Sequence, residues 1–228
     1  VDGRQNIERV KAGSWGFGLK MVRRCCSWGD SITDCGRRAA EAPLGAGYVR
    51  LFTEMVTAVY PERAIRHINK GIGGNRVTHL QDRWTDDVFY HKPDKLSIKI
   101  GINDLHSVLR GAPDAVPPEQ FESIYDALLS RTRETLGCPI VLLTPFYISK
   151  ETTSDSFRQS VLELIPVYIE IVERLSETYK TRIVRLHDLF KEHLKYRDSE
   201  SFCPEPVHPN RSGHLVIAKA LFDALSDT

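Results

Sequence analysis

Four short blocks in this 228-residue chain carry side chains that can do chemistry. In Gly29-Asp30-Ser31-Ile32-Thr33-Asp34, a serine at a strand-to-helix turn would present both its hydroxyl and its own backbone N–H. That suits a nucleophile whose attack creates an oxyanion. The bland alternative is a helix cap, because Ser, Thr and Asp all cap well. In the second block, residues 69–75 (NKGIGGN), the glycines permit close backbone approach to a ligand. A dinucleotide fingerprint fails there, since G-x-G-x-x-G would need glycine at Arg76, and no Gly-Lys-Ser/Thr follows for a P-loop. Alone, the block reads as a tight turn. In Gly101-Ile102-Asn103-Asp104, the Asn103 amide can donate to a developing negative charge. Its alternative is an Asx-turn or helix cap. In Glu205-Pro206-Val207-His208-Pro209, a carboxylate three residues before a histidine can bend back to Nδ1, leaving Nε2 free as a base. The other histidines show no HExxH or paired ligand spacing, so no metal is expected.

Positioning these blocks requires strands that end where the blocks begin. Apolar runs predict strands at residues 64–69, 96–101, 139–144 and 182–186. Apolar stripes at helical spacing predict helices at residues 48–59, 77–88, 121–136, 161–179 and 212–225, with Pro166 starting or kinking the fourth. Alternating strands and helices imply βαβ units, a parallel sheet and an α/β fold with helices on both faces. Ligands bind such sheets beyond the carboxyl ends of the strands, which is where the blocks fall.

Taken in order, GDSIT, GIGGN, GIND and EPVHP resemble the GDSL/SGNH hydrolase family over about residues 29–225. The resemblance implies a three-layer, flavodoxin-like α/β/α sandwich around a five-stranded parallel sheet. It implies Ser31 as nucleophile, His208 as base, Glu205 as its carboxylate, and an oxyanion hole from Ser31, Gly74 and Asn103. It also implies a small-molecule ester as substrate and no cofactor. A short acyl group, acetyl for preference, is expected, because no long apolar lid segment appears and Arg76, His106 and Arg110 could face a hydrophilic alcohol. The alternative is a non-catalytic binding protein on the same fold.

Two features depart from the family. Glu205 stands where an aspartate is usual. The first strand must come from residues 1–28, a segment of uncertain structure ahead of a single domain at 29–228. Adjacent Arg23 and Arg24 in a strand covered on both faces would bury charge at a cost of several kcal/mol. That segment carries six Lys/Arg against two acidic residues, while the whole chain balances 31 basic against 30 acidic residues. The overall balance advertises no nucleic-acid partner. No apolar run reaches the length of a membrane span. Five cysteines without a CxxC pair fit a reducing compartment, so a cytoplasmic location is expected.

Overall fold

The computed structural model describes residues 23–226 except Thr152. Five strands form one parallel sheet: β1 (Arg24–Gly29), β2 (Arg66–Asn69), β3 (Lys95–Lys99), β4 (Ile140–Leu143) and β5 (Arg182–Val184). Their spatial order is β2-β1-β3-β4-β5. The helices are α1 (Ser31–Asp34), α2 (Tyr48–Val59), α3 (Val77–Trp84), α4 (Ile102–Leu109), α5 (Pro118–Thr135), α6 (Phe157–Thr178), α7 (Leu186–His193) and α8 (Arg211–Ser226). The fold is the expected α/β sandwich, with α2 and α8 packed together on one face and α3, α5 and α6 on the other. The chain steps from β1 outward to β2, then crosses to β3 on the other side of β1. That reversal makes a switch point between β1 and β3, where open sheets of this kind bind ligands.

Strand alternation sets what each face receives. On β1, Cys26 and Trp28 point to the α3 side, where Trp28 meets Trp84 edge-on at 5.0 Å between ring centroids. Cys25 and Ser27 point to the α2/α8 side, beside Phe52, Leu221 and Leu225. On β3 the same alternation puts Leu96 and Ile98 with Trp28, and Lys95, Ser97 and Lys99 with Ser27 and Gly29. Ser97 Oγ donates to Ser27 Oγ at 2.9 Å, so these buried hydroxyls satisfy each other.

The first strand resolves the concern over the arginines. β1 begins only at Arg24, which is half-buried, and Arg23 is exposed. Both lie at the strand's entry, where their backbone N–H groups donate to the Asp94 carboxylate at 2.9 and 2.8 Å. The covered part of the strand is the uncharged Cys25–Gly29 stretch, so no arginine is driven under the helices. Residues 1–22 of the N-terminal segment lie outside the described residues.

Three elements differ from expectation. Helix α6 does not start at Pro166, which lies inside it: it begins after Ser156, whose hydroxyl accepts from the Gln159 N–H. Pro166 is exposed, so the Leu162 carbonyl that loses its donor lies on the solvent side. Helices α4 and α7 follow directly on β3 and β5, each only eight residues long. Neither is long enough for a sustained apolar stripe.

Candidate active site

All four blocks gather at the carboxyl edge of the sheet. Gly29 ends β1 under close constraint, since a Cβ there would lie 2.3 Å from the Lys99 carbonyl oxygen. Asp30 then caps α1: its Oδ1 accepts from the Ile32 N–H at 3.0 Å. Its Oδ2 accepts from Lys99 Nζ, also at 3.0 Å, and both side chains are fully buried. Burial pulls the Lys99 pKa down, and the Asp30 charge opposes that pull. Ser31, the first residue of α1, is thereby presented at the sheet edge.

The Ser31 hydroxyl lies 2.8 Å from His208 Nε2. On the far side of the ring, Nδ1 hydrogen-bonds Glu205 Oε1. The Glu205 carboxylate also accepts the backbone N–H groups of His208 and Val207, at 2.8 and 3.1 Å. Partial burial raises the Glu205 pKa, but the bonds from Val207 and His208 outweigh it and leave the carboxyl below its usual range. Glutamate thus reaches the imidazole despite its extra methylene, because the turn at 205–208 folds back on the carboxylate.

The glycine block abuts the serine, as a Cβ on Gly73 would lie 3.9 Å from Ser31 Cβ. Gly74 adopts φ +77°, a left-handed conformation natural to glycine, and open space surrounds it. Among the described residues the backbone N–H groups of Ser31 and Gly74 make no hydrogen bond within the protein. Asn103 lies in the first turn of α4, where its amide donates one N–H to the Asn75 carbonyl at 3.0 Å and keeps the other. Ser31, Gly74 and Asn103 thus each keep an N–H that no protein acceptor takes up among the described residues.

Several residues that fix these loops carried no role in the sequence reading. Asp34 Oδ2 accepts the Gly73 N–H at 3.0 Å, tying the serine block to the glycine block. Asp104 Oδ1 accepts the Val77 N–H at 2.9 Å, tying the asparagine block to the start of α3. Asp104 is buried with Oδ2 unpartnered, and burial pushes its pKa up to about 7. The Ile148 N–H donates to the Pro206 carbonyl at 2.9 Å, fastening the loop after β4 to the histidine block. Lys99 had a signal in the sequence, a cation set between the apolar Ile98 and Ile100.

One turn beyond Asn103 on α4, His106 packs 5.4 Å from the half-exposed Phe157 ring and 6.2 Å from that of Tyr147. Arg110 stacks 5.4 Å over the same Phe157. Burial first, and Arg110 next, push the His106 pKa down to about 4, so this imidazole is neutral at pH 7. Arg76, a residue that could face a hydrophilic alcohol, is hydrogen-bonded to Asp114. Among the described residues no group of three His, Cys, Asp or Glu side chains could hold a metal ion. No described helix is long and apolar enough to cross a membrane.

The model of the GDSL-like lipase/acylhydrolase family matches residues 28–216. The chain belongs to this family. A curated GDSL relative, the acetylxylan esterase of Geobacillus stearothermophilus, is 36% identical over 200 residues, spanning 84% of this chain and 89% of its own. A crystal structure of a serine-to-alanine catalytic mutant of that esterase superposes with TM-score 0.80 and 34% identity, covering 90% of this chain and 95% of the other. Further catalytic mutants of the same esterase replace a histidine and an aspartate three positions ahead of it. LAE5, an α/β hydrolase from the metagenome of Lake Arreo in Spain, also gives TM-score 0.80, at 32% identity over 89% of this chain and 94% of its own. This GDSL protein is a carboxylic ester hydrolase with a small-molecule ester as substrate.

Proposed function

We propose that this hydrolase removes short acyl groups, acetyl above all, through an acyl-enzyme formed on Ser31. The carrying observation is the continuous hydrogen-bonded line Ser31–His208–Glu205. In this reading His208 Nε2 takes the Ser31 proton as Oγ attacks the ester carbonyl. Glu205 holds the ring by Nδ1 and offsets the imidazolium charge. The Ser31 and Gly74 N–H groups and the Asn103 amide hold the tetrahedral oxyanion. His208 then protonates the departing alcohol, and water repeats the sequence on the acyl-enzyme.

The acetylxylan esterase relative supports a carbohydrate alcohol. So does the half-exposed Phe157 flanked by Arg110 and His106, since an aromatic ring edged by polar groups suits a sugar face better than a long acyl chain. A non-catalytic protein on the same fold is less favoured, since the strand leading to Ser31 forms with Arg24 at its entry rather than under the helices. All five cysteines are unpaired, which supports a reducing, cytoplasmic setting.

Hydrolysis of p-nitrophenyl acetate tests the reading, with Ser31→Ala expected to abolish turnover. Activity surviving in that variant removes Ser31 as the nucleophile. Rates falling steeply from acetate to decanoate, together with deacetylation of acetylated xylo-oligosaccharides, are the expected substrate pattern.

A further inference from the structure

We infer that Lys99 is a positioning residue for the nucleophile: its ammonium cancels the buried Asp30 charge directly beneath Ser31, so that the oxyanion forms over a neutral floor. The inference rests on the serine mechanism proposed above and adds to it a group outside the four blocks.

Asp30 immediately precedes Ser31 and shapes its turn. Its carbonyl accepts the N–H groups of Thr33 and Asp34 at 3.2 and 2.9 Å, and its Oδ1 caps Ile32. Any charge on that carboxylate therefore lies one residue from the atoms on which the reaction develops a negative charge. In a water-free interior like charges at such range repel strongly, and solvent cannot screen a group that is 0% exposed. Lys99 stands opposite Gly29 in the β1–β3 register and reaches past it to Asp30 Oδ2 at 3.0 Å. The face of Phe146 lies 5.0 Å from Nζ and favours a cation without adding an anion. The pair is thus charge-balanced and dry.

Other titratable groups face this pair from the surrounding elements. Asp104 and His106 come from α4, Tyr48 from α2, His214 from α8 and Cys203 from the loop before α8. His106 and His214 are neutral at pH 7, as are Tyr48 and Cys203, because burial lowers the two imidazoles and raises the other two groups. Among these surrounding groups, Asp104 is the one whose pKa, pushed up to about 7, lies near neutrality.

The test compares Lys99→Met with Lys99→Met/Asp30→Asn, in which asparagine keeps the cap on Ile32. Both are assayed on p-nitrophenyl acetate across pH, beside wild type and Ser31→Ala, with thermal melts confirming folding. Lys99→Met strands a carboxylate that ionises as pH rises. Its kcat should fall by about 100-fold at alkaline pH, giving a falling limb that wild type lacks. The double variant should lose that limb and return to within about tenfold of wild-type kcat. A wild-type rate and profile in Lys99→Met overturns the inference. So does a limb that persists in the double variant, whose source would be Asp104. A double variant as slow as the single means that the ammonium itself is required, and an unfolded double means that the pair is purely structural; either result overturns it. If Lys99→Met alone fails to fold, the double variant decides by the same criteria. Activity in Ser31→Ala would sink the serine mechanism and this inference together, whereas the other failures leave that mechanism standing.

Discussion

Glu205 fills the place of a shorter carboxylate, yet its oxygen meets His208 Nδ1 because the backbone N–H groups of Val207 and His208 draw the carboxylate inward. Its function in the proposed mechanism is charge as much as reach. Glu205→Gln keeps the length and removes the charge, so kcat should fall by roughly 100- to 10,000-fold. Glu205→Asp keeps the charge, shortens the reach and should fall between the two. Full activity in the glutamine variant would mean that Ser31 and His208 work as a dyad. Asn103 makes a second prediction at this scale. Removing an oxyanion donor typically costs about 100- to 1,000-fold in kcat, and Asn103→Ala should show that loss with KM little changed. The substitution also frees the Asn75 carbonyl, a part-buried acceptor, so a small drop in melting temperature should accompany it. An unchanged kcat would remove Asn103 from the site.

At the scale of elements, the loops around Ser31 hold their places through carboxylates that touch no substrate in the proposed mechanism. Asp104 on α4 accepts the N–H of Val77, the first residue of α3, and Val77 is fully buried. Replacing Asp104 by alanine leaves that N–H without a partner and should cost about 1–3 kcal/mol, read as a lower urea midpoint at unchanged slope. Asp104→Asn, which keeps an acceptor, should recover most of it. An equal loss in both variants would shift the cause from the hydrogen bond to the carboxylate's own charge. These fastenings were not legible in the sequence, whereas the chemical blocks were. Ser31, Asn103, Glu205 and His208 announce themselves because the role proposed for each belongs to its own side chain beside a turn. Asp34 and Asp104 act by reaching backbone in a distant segment, 39 and 27 residues away in the chain. Helix α4 was hidden for a related reason, since its apolar face spans only two turns and begins where the strand signal ends. The arginines misled because the start of β1 has no sequence marker. Buried on both faces, the strand shows no alternation to reveal that its covered part begins after Arg24. The role of Lys99 is visible only in the register, where Lys95, Ser97 and Lys99 put every polar residue of β3 on one face.

For the whole molecule, the core's buried imidazoles set how stability responds to acid. Burial holds His67, His106 and His214 neutral, each pushed down to about 4. His67 packs edge-on against Phe52, and His214 Nδ1 accepts the Tyr48 N–H, a bond that protonation at Nδ1 would destroy. In the unfolded chain these rings take up protons near pH 6.5. Between about pH 6.5 and 4 the unfolded state therefore binds more protons than the folded one. Stability is full above that window and drains away as pH falls through it, by on the order of 1–3 kcal/mol per ring. Asp104 acts in the opposite sense. Its folded pKa of about 7 lies above the unfolded carboxylate value, so its contribution shrinks as pH rises from about 4 to 7. Three imidazoles outweigh one carboxyl, and the net expectation is a urea midpoint clearly lower at pH 5 than at pH 7.5. His214→Gln, whose amide oxygen can still accept from Tyr48, should flatten that dependence without changing its sign. A midpoint that holds steady between the two pH values would mean that these imidazoles do not stay neutral inside the fold.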